Sequence, residues 1–341
     1  VGMLVPHSFM FRKSFQAFRE DFVGERGAFD FLAEFGYGIL DNAMVGTVGT
    51  VVQIGQSQGK DGVFIRLHDL SKTEKEKGFI HASLNSHPKD FKRRFQVSND
   101  RFQVVPRSPL SYSIPDKIRN IHKSNIKIDA KAAGIAKESA GVVGKGLDTN
   151  DNDRFLRLHW ESQCIPEFIP LAKGGSDAWV MPKVPWTISW DKGGDNLIRS
   201  GGLLKNERLQ NKPGLTWTYV KRTGRRFGYF PSGGAFDGTG SMLFLNDSSR
   251  WGAMGLLNSN LYHALFLSLT LERHWLVGHV GRIPWPKEVE TVKGVGKRAK
   301  QQFEVVLNGR IYDSTSPYYI GPALLPEDAA DGWFYNEHVF T

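Results

Sequence analysis

Seven cations lie between residues 205 and 226, and Glu207 is the only acid among them. Lysine and arginine fix phosphate groups, and a guanidinium can also read a guanine edge through two hydrogen bonds. The cluster therefore predicts a nucleic-acid contact, with Arg154 and Arg157 as second-rank candidates for the same role. Its members are Lys205, Arg208, Lys212, Lys221, Arg222, Arg225 and Arg226.

Aromatic side chains are interleaved with these cations. Such rings either stack on nucleic-acid bases or form the core of a β-hairpin whose wet face carries the cations. We favour the core for Trp217, Tyr219 and Phe236, and we favour nucleic acid as the partner of the cations.

The charge of the whole chain points the same way. The formal net charge is +9 and the pI about 9.5 over 341 residues. A positive excess of this size favours a polyanionic partner, with nucleic acid first and an anionic membrane surface second. A basic globular protein without a special partner has the same composition, so this alternative stays open.

Cysteine usage and hydropathy narrow the class of protein. Cys164 is the only cysteine, so the chain can form neither an internal disulfide nor a cysteine-built zinc site. We expect a reducing, cytoplasmic compartment. The longest apolar run, near Ala264 to Leu271, is too short to span a bilayer, and Val1 to Val5 lacks the features of a signal peptide. No membrane association and no metal site are predicted.

Three weaker motifs favour structural interpretations. Phe35-Gly36-Tyr37-Gly38 superficially resembles an adenosyl-cofactor loop, but its position favours a tight turn. Asp148, Asn150 and Asn152 start like a calcium loop that then lacks its glycine and glutamate, which favours a polar capping turn. Gly294 to Arg298 is similar to a phosphate-binding helix turn, and a solvated basic helix start is the default interpretation.

The first hundred residues alternate between strand and helix patterns. Met3-Leu4-Val5 predicts a short buried strand, and phenylalanines from Phe11 to Phe22 recur at helical spacing, with Arg19 on another face. Thr47 to Ile54 predicts a central strand, and Val63 to Leu67 a further strand. The pattern is typical of the distal part of an α/β sheet.

Later residues change in character and suggest a domain boundary near Pro106 to Pro115. Residues 160–190 are rich in tryptophan and proline and predict irregular structure. Trp251 to Leu271 predicts a helix pair that turns at Asn258-Ser259-Asn260, and Val295 to Leu307 predicts a basic helix. We divide the chain into residues 1–105, 106–286 and 287–341.

Four segments resemble one protein family in its own order. They are Gly214–Phe244, Gly255-Leu256-Leu257-Asn258-Ser259, Thr149–Leu158 and Ser314–Leu325. The family is that of the large adenine-specific DNA methyltransferases of the BREX and DISARM phage-defence systems and of fused restriction–modification enzymes. The opening, Gly2 to Phe22, is similar to the strand and helix that follow the catalytic loop of these enzymes.

Within this resemblance the chain corresponds to the second half of such an enzyme. The resemblance implies the distal part of a Rossmann-like methyltransferase domain in residues 1–105, an α+β target-recognition domain in 106–286, and a C-terminal helical and loop extension in 287–341. No Asn-Pro-Pro motif occurs, and the family aromatic that flanks the flipped base would fall near Leu40, which is not aromatic. We therefore expect no catalytic residue in this chain, and we read its apolar start as a cut from something longer.

The implied partner is double-stranded DNA, and the implied cofactor of the complete enzyme is S-adenosylmethionine, which this chain alone is not expected to bind. Further partners would be the missing methyltransferase half or other defence-system subunits. The alternatives are a non-catalytic DNA-binding specificity module that acts with a partner subunit and a degenerate structural protein of a defence complex.

Overall fold

The computed structural model describes residues 1–40, 45–55, 59–84, 92–135, 137–162, 165–174, 179–220, 226–270, 274–286 and 294–319. The chain forms two compact units. The first comprises Val1–Lys123 with Ala264–Leu271, and the second comprises Ser124–His263 with Glu272–Thr341. The assignment of functions to residues 1–105, 106–286 and 287–341 stays a prediction.

The first unit is built from a five-stranded sheet with helices. Short 3-10 turns (His7–Met10, Lys13–Phe15, Lys72–Glu74 and Asn99–Val104) and a π-helical turn (Phe22–Arg26) connect them. The regular elements are β1 (Gly2–Pro6), α1 (Gln16–Asp21), β2 (Gly27–Gly36), β3 (Thr47–Ile54), β4 (Asp61–Arg66), α2 (Lys75–Leu84), β5 (Arg94–Ser98) and α3 (Asp116–Ile121).

The order of the strands is β1-β3-β2-β4-β5. Strand β3 runs antiparallel to both β1 and β2, and β4 runs parallel to β2. Strands β1, β2 and β4 therefore share one direction, and their carboxyl ends meet at one edge of the sheet. Buried side chains around Phe29 and Phe64 cover one face, and those around Ile65 and Ala82 cover the other. A mixed sheet covered on both faces confirms the predicted α/β class.

Two local expectations for the first unit need correction. Strand β1 forms as predicted, but Met3 and Leu4 are exposed, because β3 is its only neighbour among the described strands. The helix predicted over Phe11 to Phe22 shrinks to α1. Its buried side chain is Arg19, whose guanidinium donates to the carbonyls of Phe9, Arg12, Arg107 and Ser108.

The second unit contains short strands and helices. They are β6 (Ile126–Lys127), α4 (Ala130–Ala133), β7 (Glu138–Ser139), β8 (Val142–Gly144), α5 (Asn152–Phe155), β9 (Leu156–Leu158), α6 (His159–Ser162), β10 (Phe168–Ala172), β11 (Trp186–Ser189), α7 (Asp195–Arg199), β12 (Gly214–Trp217), β13 (Phe227–Phe230), β14 (Ala235–Phe236), β15 (Met242–Phe244), α8 (Asp247–Leu257), α9 (Asn260–Leu269), α10 (Val277–Gly281) and α11 (Val295–Arg310). The far end of α9 belongs to the first unit.

Two four-stranded sheets organise this unit, in the orders β14-β10-β11-β9 and β13-β12-β15-β8, and β6 pairs with β7. Buried residues around Leu171 and Ile188 pack on the first sheet, and those around Phe230 and Met242 pack on the second. The predicted helix pair is confirmed as α8 and α9, and the basic helix as α11. Within the described ranges, no helix has the length and hydrophobicity that a membrane crossing requires.

Candidate nucleic-acid interface

The aromatic residues of the cation-rich stretch form the core of a β-hairpin. Strands β12 and β13 pair antiparallel, and every residue of both strands is buried. The indole N–H of Trp217 donates to the Trp275 carbonyl at 2.8 Å, and Phe236 is buried as well. The structure thus confirms the core interpretation for Trp217 and Phe236, while Tyr219 is half-buried against the His274 ring.

Asn258, from the segment that resembles the family's Leu-Asn-Ser motif, holds this hairpin in place. Its side-chain oxygen accepts the backbone N–H of Phe227 at 3.0 Å, and its side-chain nitrogen donates to the Phe227 carbonyl at 2.8 Å. The same nitrogen donates to the Met254 carbonyl on α8 at 3.0 Å. The amide therefore acts as a short strand partner for β13 and fixes it to the end of α8.

The structure corrects the interpretation of Arg226 as a surface cation. Its side chain is 1% exposed, and its guanidinium carbon lies 3.5 Å from the centre of the Trp275 ring. One guanidinium N–H also donates to the Thr218 carbonyl at 3.2 Å. A phosphate could not reach the guanidinium in this position, so the residue braces the hairpin. The sequence alone does not predict this burial, because Trp275 lies far along the chain.

Three other cations of the cluster, Lys221, Arg222 and Arg225, fall outside the described residues. They lie in the segment that joins β12 to β13. Val220, the last described residue before this segment, is exposed. The nucleic-acid contact of these three cations stays a prediction.

The cations that precede the hairpin lie at the surface. Arg208 and Lys212 are exposed, and neither pairs with a carboxylate among the described residues. Lys205 is half-buried, and its ammonium group lies 3.0 Å from Asp148, which also attracts Lys145 at 3.8 Å. Among the described cations that precede the hairpin, Arg208 and Lys212 are therefore the most available to a phosphate, whereas Lys205 is already engaged.

Arg154 and Arg157 are both exposed, near α5 and β9. The Arg154 guanidinium lies over the Phe155 ring at 5.1 Å, and Arg157 donates to the carbonyls of Asp153 and Leu156 at 2.8 and 2.6 Å. Asp151 accepts the Arg154 backbone N–H and so caps α5, as the polar-turn interpretation predicts. The side-chain contacts hold the two arginines at the surface through an aromatic ring and backbone carbonyls, and none of them involves a carboxylate.

The glycine-rich turn after the hairpin has a structural anchor that sequence reasoning missed. Asp237 is buried, and one of its oxygens accepts the backbone N–H groups of Thr239 and Gly240 at 2.8 and 2.7 Å. Its other oxygen accepts the Lys173 ammonium at 2.8 Å. A side chain at Gly240 would meet the Ala172 carbonyl at 2.1 Å, so glycine is required there. Asp237 and Gly240 therefore build the turn.

A polar cluster around a buried glutamate, also missed from the sequence, lies at the carboxyl ends of β1, β2 and β4. It consists of Glu34, His7, His68 and Tyr112, and Glu34 is 2% exposed. The Glu34 carboxylate lies 3.3 Å from Nδ1 of His68 and 3.9 Å from Nδ1 of His7, and it accepts the Tyr112 hydroxyl. Since these residues are scattered along the chain, only the pairing of the strands reveals them as a group.

The contacts of Arg66 assign the proton positions in this cluster. Its guanidinium donates to Nε2 of His68, with Nη2 at 2.9 Å, so Nε2 is the acceptor and Nδ1–H donates to Glu34. Burial raises the pKa of Glu34, but its contacts with His68, His7 and Tyr112 outweigh burial and bring this pKa well below its ordinary value. Burial, followed by the Glu34 charge, raises the pKa of Tyr112. The cluster therefore holds an ionised carboxylate beside a neutral phenol.

An exposed aromatic ring lies at the same edge of the sheet. Tyr37 is 58% exposed between Gly36 and Gly38, whose φ angles are +71° and +83°, which confirms a tight turn. The buried Lys75 donates to the carbonyls of Phe35 and Tyr37 at 2.6 and 3.0 Å. The His7 ring contacts the Tyr37 ring edge-on, with 5.7 Å between centroids. Tyr37 is thus presented to solvent on an anchored turn.

The described residues do not fit an adenosyl cofactor at this turn. Such a loop needs a helix after the glycines, so that free backbone N–H groups face the ligand. Residues 37–40 form no helix, and the Lys75 ammonium occupies the carbonyls of the turn. In the described parts of the chain, no group of three or more histidine, cysteine, aspartate or glutamate residues could hold a metal ion.

Comparisons with known proteins give one relationship in sequence. No family model matches the chain. The adenine-specific methyltransferase PglX of Lacticaseibacillus casei (strain Zhang) is 24% identical over 315 residues, which cover 84% of this chain and 25% of that protein. The chain thus spans about a quarter of the length of this curated relative.

A methyltransferase subunit of a type I restriction-modification system from Streptococcus thermophilus is similar over 33% of this chain and 25% of its own, with a TM-score of 0.26 and 16% identity. A structural likeness of that size adds nothing to the assignment. The sequence relationship with PglX extends over most of the chain. On that ground, the chain is similar to the adenine-specific methyltransferase PglX.

Proposed function

We propose that this chain is the sequence-specific DNA-recognition part of an S-adenosylmethionine-dependent adenine-N6 DNA methyltransferase in phage defence or restriction–modification. The observation that carries the proposal is the similarity to adenine-specific methyltransferase PglX over 84% of the chain. The net charge of +9 supports a polyanionic partner.

The surface of the second unit supports the DNA contact. Arg208 and Lys212 are exposed without an acidic partner among the described residues, and Arg154 and Arg157 are exposed near β9. The hairpin of β12 and β13 is rigid because Trp217, Arg226 and Asn258 all fix it. A rigid hairpin with cations in its connecting segment could hold a duplex in one orientation, with affinity that falls as salt rises.

Methylation at adenine N6 requires that the base leave the duplex stack. S-adenosylmethionine supplies the methyl group to the complete enzyme. Because the described residues offer no cofactor loop, we propose that another part of the enzyme, or a partner subunit, holds the cofactor and the catalytic Asn-Pro-Pro-aromatic loop. Leu40, near which the family aromatic would fall, is not aromatic, so we propose that Tyr37 stacks on the extruded adenine, because its ring is exposed and anchored.

Two binding measurements on the purified chain test the proposal. Fluorescence anisotropy with a labelled duplex of mixed sequence should show salt-dependent binding, and calorimetry with S-adenosylmethionine should show none. No duplex binding at low salt would contradict the DNA-recognition role. Tight cofactor binding would instead place the cofactor site inside this chain. In the complete enzyme, Tyr37→Ala should lower the rate of adenine methylation more than Tyr37→Phe does, because phenylalanine keeps the stacking ring.

A further inference from the structure

Helix α11 carries a cationic face that no assigned role uses. Lys297, Arg298 and Lys300 are exposed in its first two turns, and its first turn has no acidic residue. None of the three forms an ion pair with any residue that the structure describes. We call these three side chains the α11 cationic face.

The position of these charges on the helix is unfavourable in the free protein. The amino end of a helix carries a partial positive charge, so cations in the first turns are repelled and acids are favoured there. The helix runs for 16 residues from Val295 to Arg310 and therefore has a developed dipole. A polyanion beside Lys297, Arg298 and Lys300 would remove the repulsion among the cations and between them and the helix end.

The helix is held firmly enough to present this face in one orientation. Ala299, Phe303 and Leu307 recur every four residues and are buried on the opposite side. Glycines at the contact with α8 let the two backbones approach closely, since a side chain at Gly255 would meet Val295 at 2.5 Å. At the far end, Arg310 donates to the Met181 carbonyl at 3.0 Å.

Ring contacts join α11 to the hairpin of the candidate interface. Phe303 contacts Tyr229 on β13 and Trp251 on α8, with centroid separations of 5.3 and 5.2 Å. Tyr229 lies on the strand that follows the cation-rich segment 221–225. Strand β13 and α11 therefore belong to one packed group.

We propose that the α11 cationic face binds the phosphate backbone of duplex DNA as a second contact of the second unit. The inference rests on the proposed function, because it takes DNA as the polyanion. The three side chains are point contacts to phosphate, so they add affinity and salt dependence without reading sequence.

A triple variant tests the inference on the full chain. Lys297→Ala with Arg298→Ala and Lys300→Ala should weaken duplex binding about ten- to hundredfold near 150 mM salt and reduce the salt slope by about two to three. The control removes three equally charged, exposed side chains of the first unit, by Lys13→Ala, Lys77→Ala and Lys117→Ala. The control variant should weaken duplex binding by no more than about threefold, because it changes only the long-range electrostatic attraction between the protein and the DNA. Circular dichroism verifies the fold of both.

The outcomes separate the two proposals. If the wild-type chain binds DNA but both triple variants bind equally well, the α11 inference is wrong and the proposed function stands. If the wild-type chain binds no duplex even at low salt, both fall. The charge-conserving pair Lys297→Arg and Lys300→Arg should bind as the wild type does, and a loss as large as that of the alanine variant would contradict a simple phosphate contact.

Discussion

The guanidinium carbon of Arg226 lies over the Trp275 ring, 3.5 Å from the ring centre. The backbone carbonyl of Trp275 accepts the indole N–H of Trp217. The two contacts join the ends of β12 and β13 to one residue that lies far along the chain. A planar cation on an aromatic face is strongest when water is excluded, as it is here. The cation-rich hairpin is therefore held by one of its own cations.

Replacing Arg226 should destabilise the chain. Arg226→Ala loses the contact with Trp275 and the hydrogen bond to Thr218 and leaves a cavity, so we expect a loss of about 2–4 kcal/mol in the free energy of unfolding. Urea unfolding measures it. Arg226→Lys should recover little, because an ammonium has no planar face to stack. The control Arg208→Ala, at an exposed site, should stay within about 0.5 kcal/mol. Equal stability of Arg226→Ala and wild type would place the guanidinium in solvent.

Arg225 and Arg226 should differ in their effect on the salt dependence of DNA binding. Arg225→Ala should reduce the slope of log affinity against log salt by about 0.9, the value for one lost phosphate contact. Arg226→Ala, measured well below its melting temperature, should leave that slope unchanged because its guanidinium is buried. The measurement is anisotropy between 50 and 200 mM salt. Equal slope changes for the two variants would mean that Arg226 leaves Trp275 when DNA binds.

Removing Asp148 should strengthen DNA binding, whereas removing a cation weakens it. Asp148 lies 3.0 Å from the Lys205 ammonium and competes with any phosphate for it. Asp148→Asn should therefore tighten duplex binding by about three- to tenfold and steepen the salt dependence. The double change of Asp148→Asn with Lys205→Ala should cancel most of the gain. If Asp148→Asn weakens binding, Lys205 serves the fold rather than the DNA.

Much of the fold could be predicted from patterns that lie within one segment. Thr47 to Ile54 is rich in β-branched residues and forms the strand between β1 and β2, and the apolar spacing of Val295 to Leu307 gives α11. The helix predicted over Phe11 to Phe22 is longer than the observed α1. Arg19 is held by four backbone carbonyls, and no local sequence pattern reveals these contacts. Local periodicity predicts elements, but it does not predict a polar side chain that becomes core.

The candidate site divides in the same way. The exposure of Arg208 and Lys212 follows from their polar surroundings and could be predicted. The burial of Arg226 and the anchoring role of Asp237 depend on Trp275 and Lys173, which meet them only after folding. The Glu34 cluster needs the register of three strands to bring its members together. Such contacts between distant segments carry no signal in a single sequence.

Glu34 should make the stability of the chain depend on pH in a defined direction. Because its pKa in the folded chain lies below that of an exposed glutamate, near 4.3, ionisation of Glu34 favours the folded state. Its contribution is fully present above about pH 5 and is lost as the pH falls through the acid range. Glu34→Gln removes the ionisable group and weakens the contacts with His68 and Tyr112.

At pH 7 the wild type should therefore exceed Glu34→Gln by about 1–3 kcal/mol in the free energy of unfolding. This difference should shrink between about pH 5 and pH 3, because the unfolded wild type takes up a proton at Glu34 in this range, whereas a glutamine takes up none. Urea unfolding at several pH values gives both curves. Glu138→Gln, at an exposed position, should follow the wild type throughout. A difference that stays constant down to pH 3 would show that Glu34 stabilises the fold by shape and not by its charge.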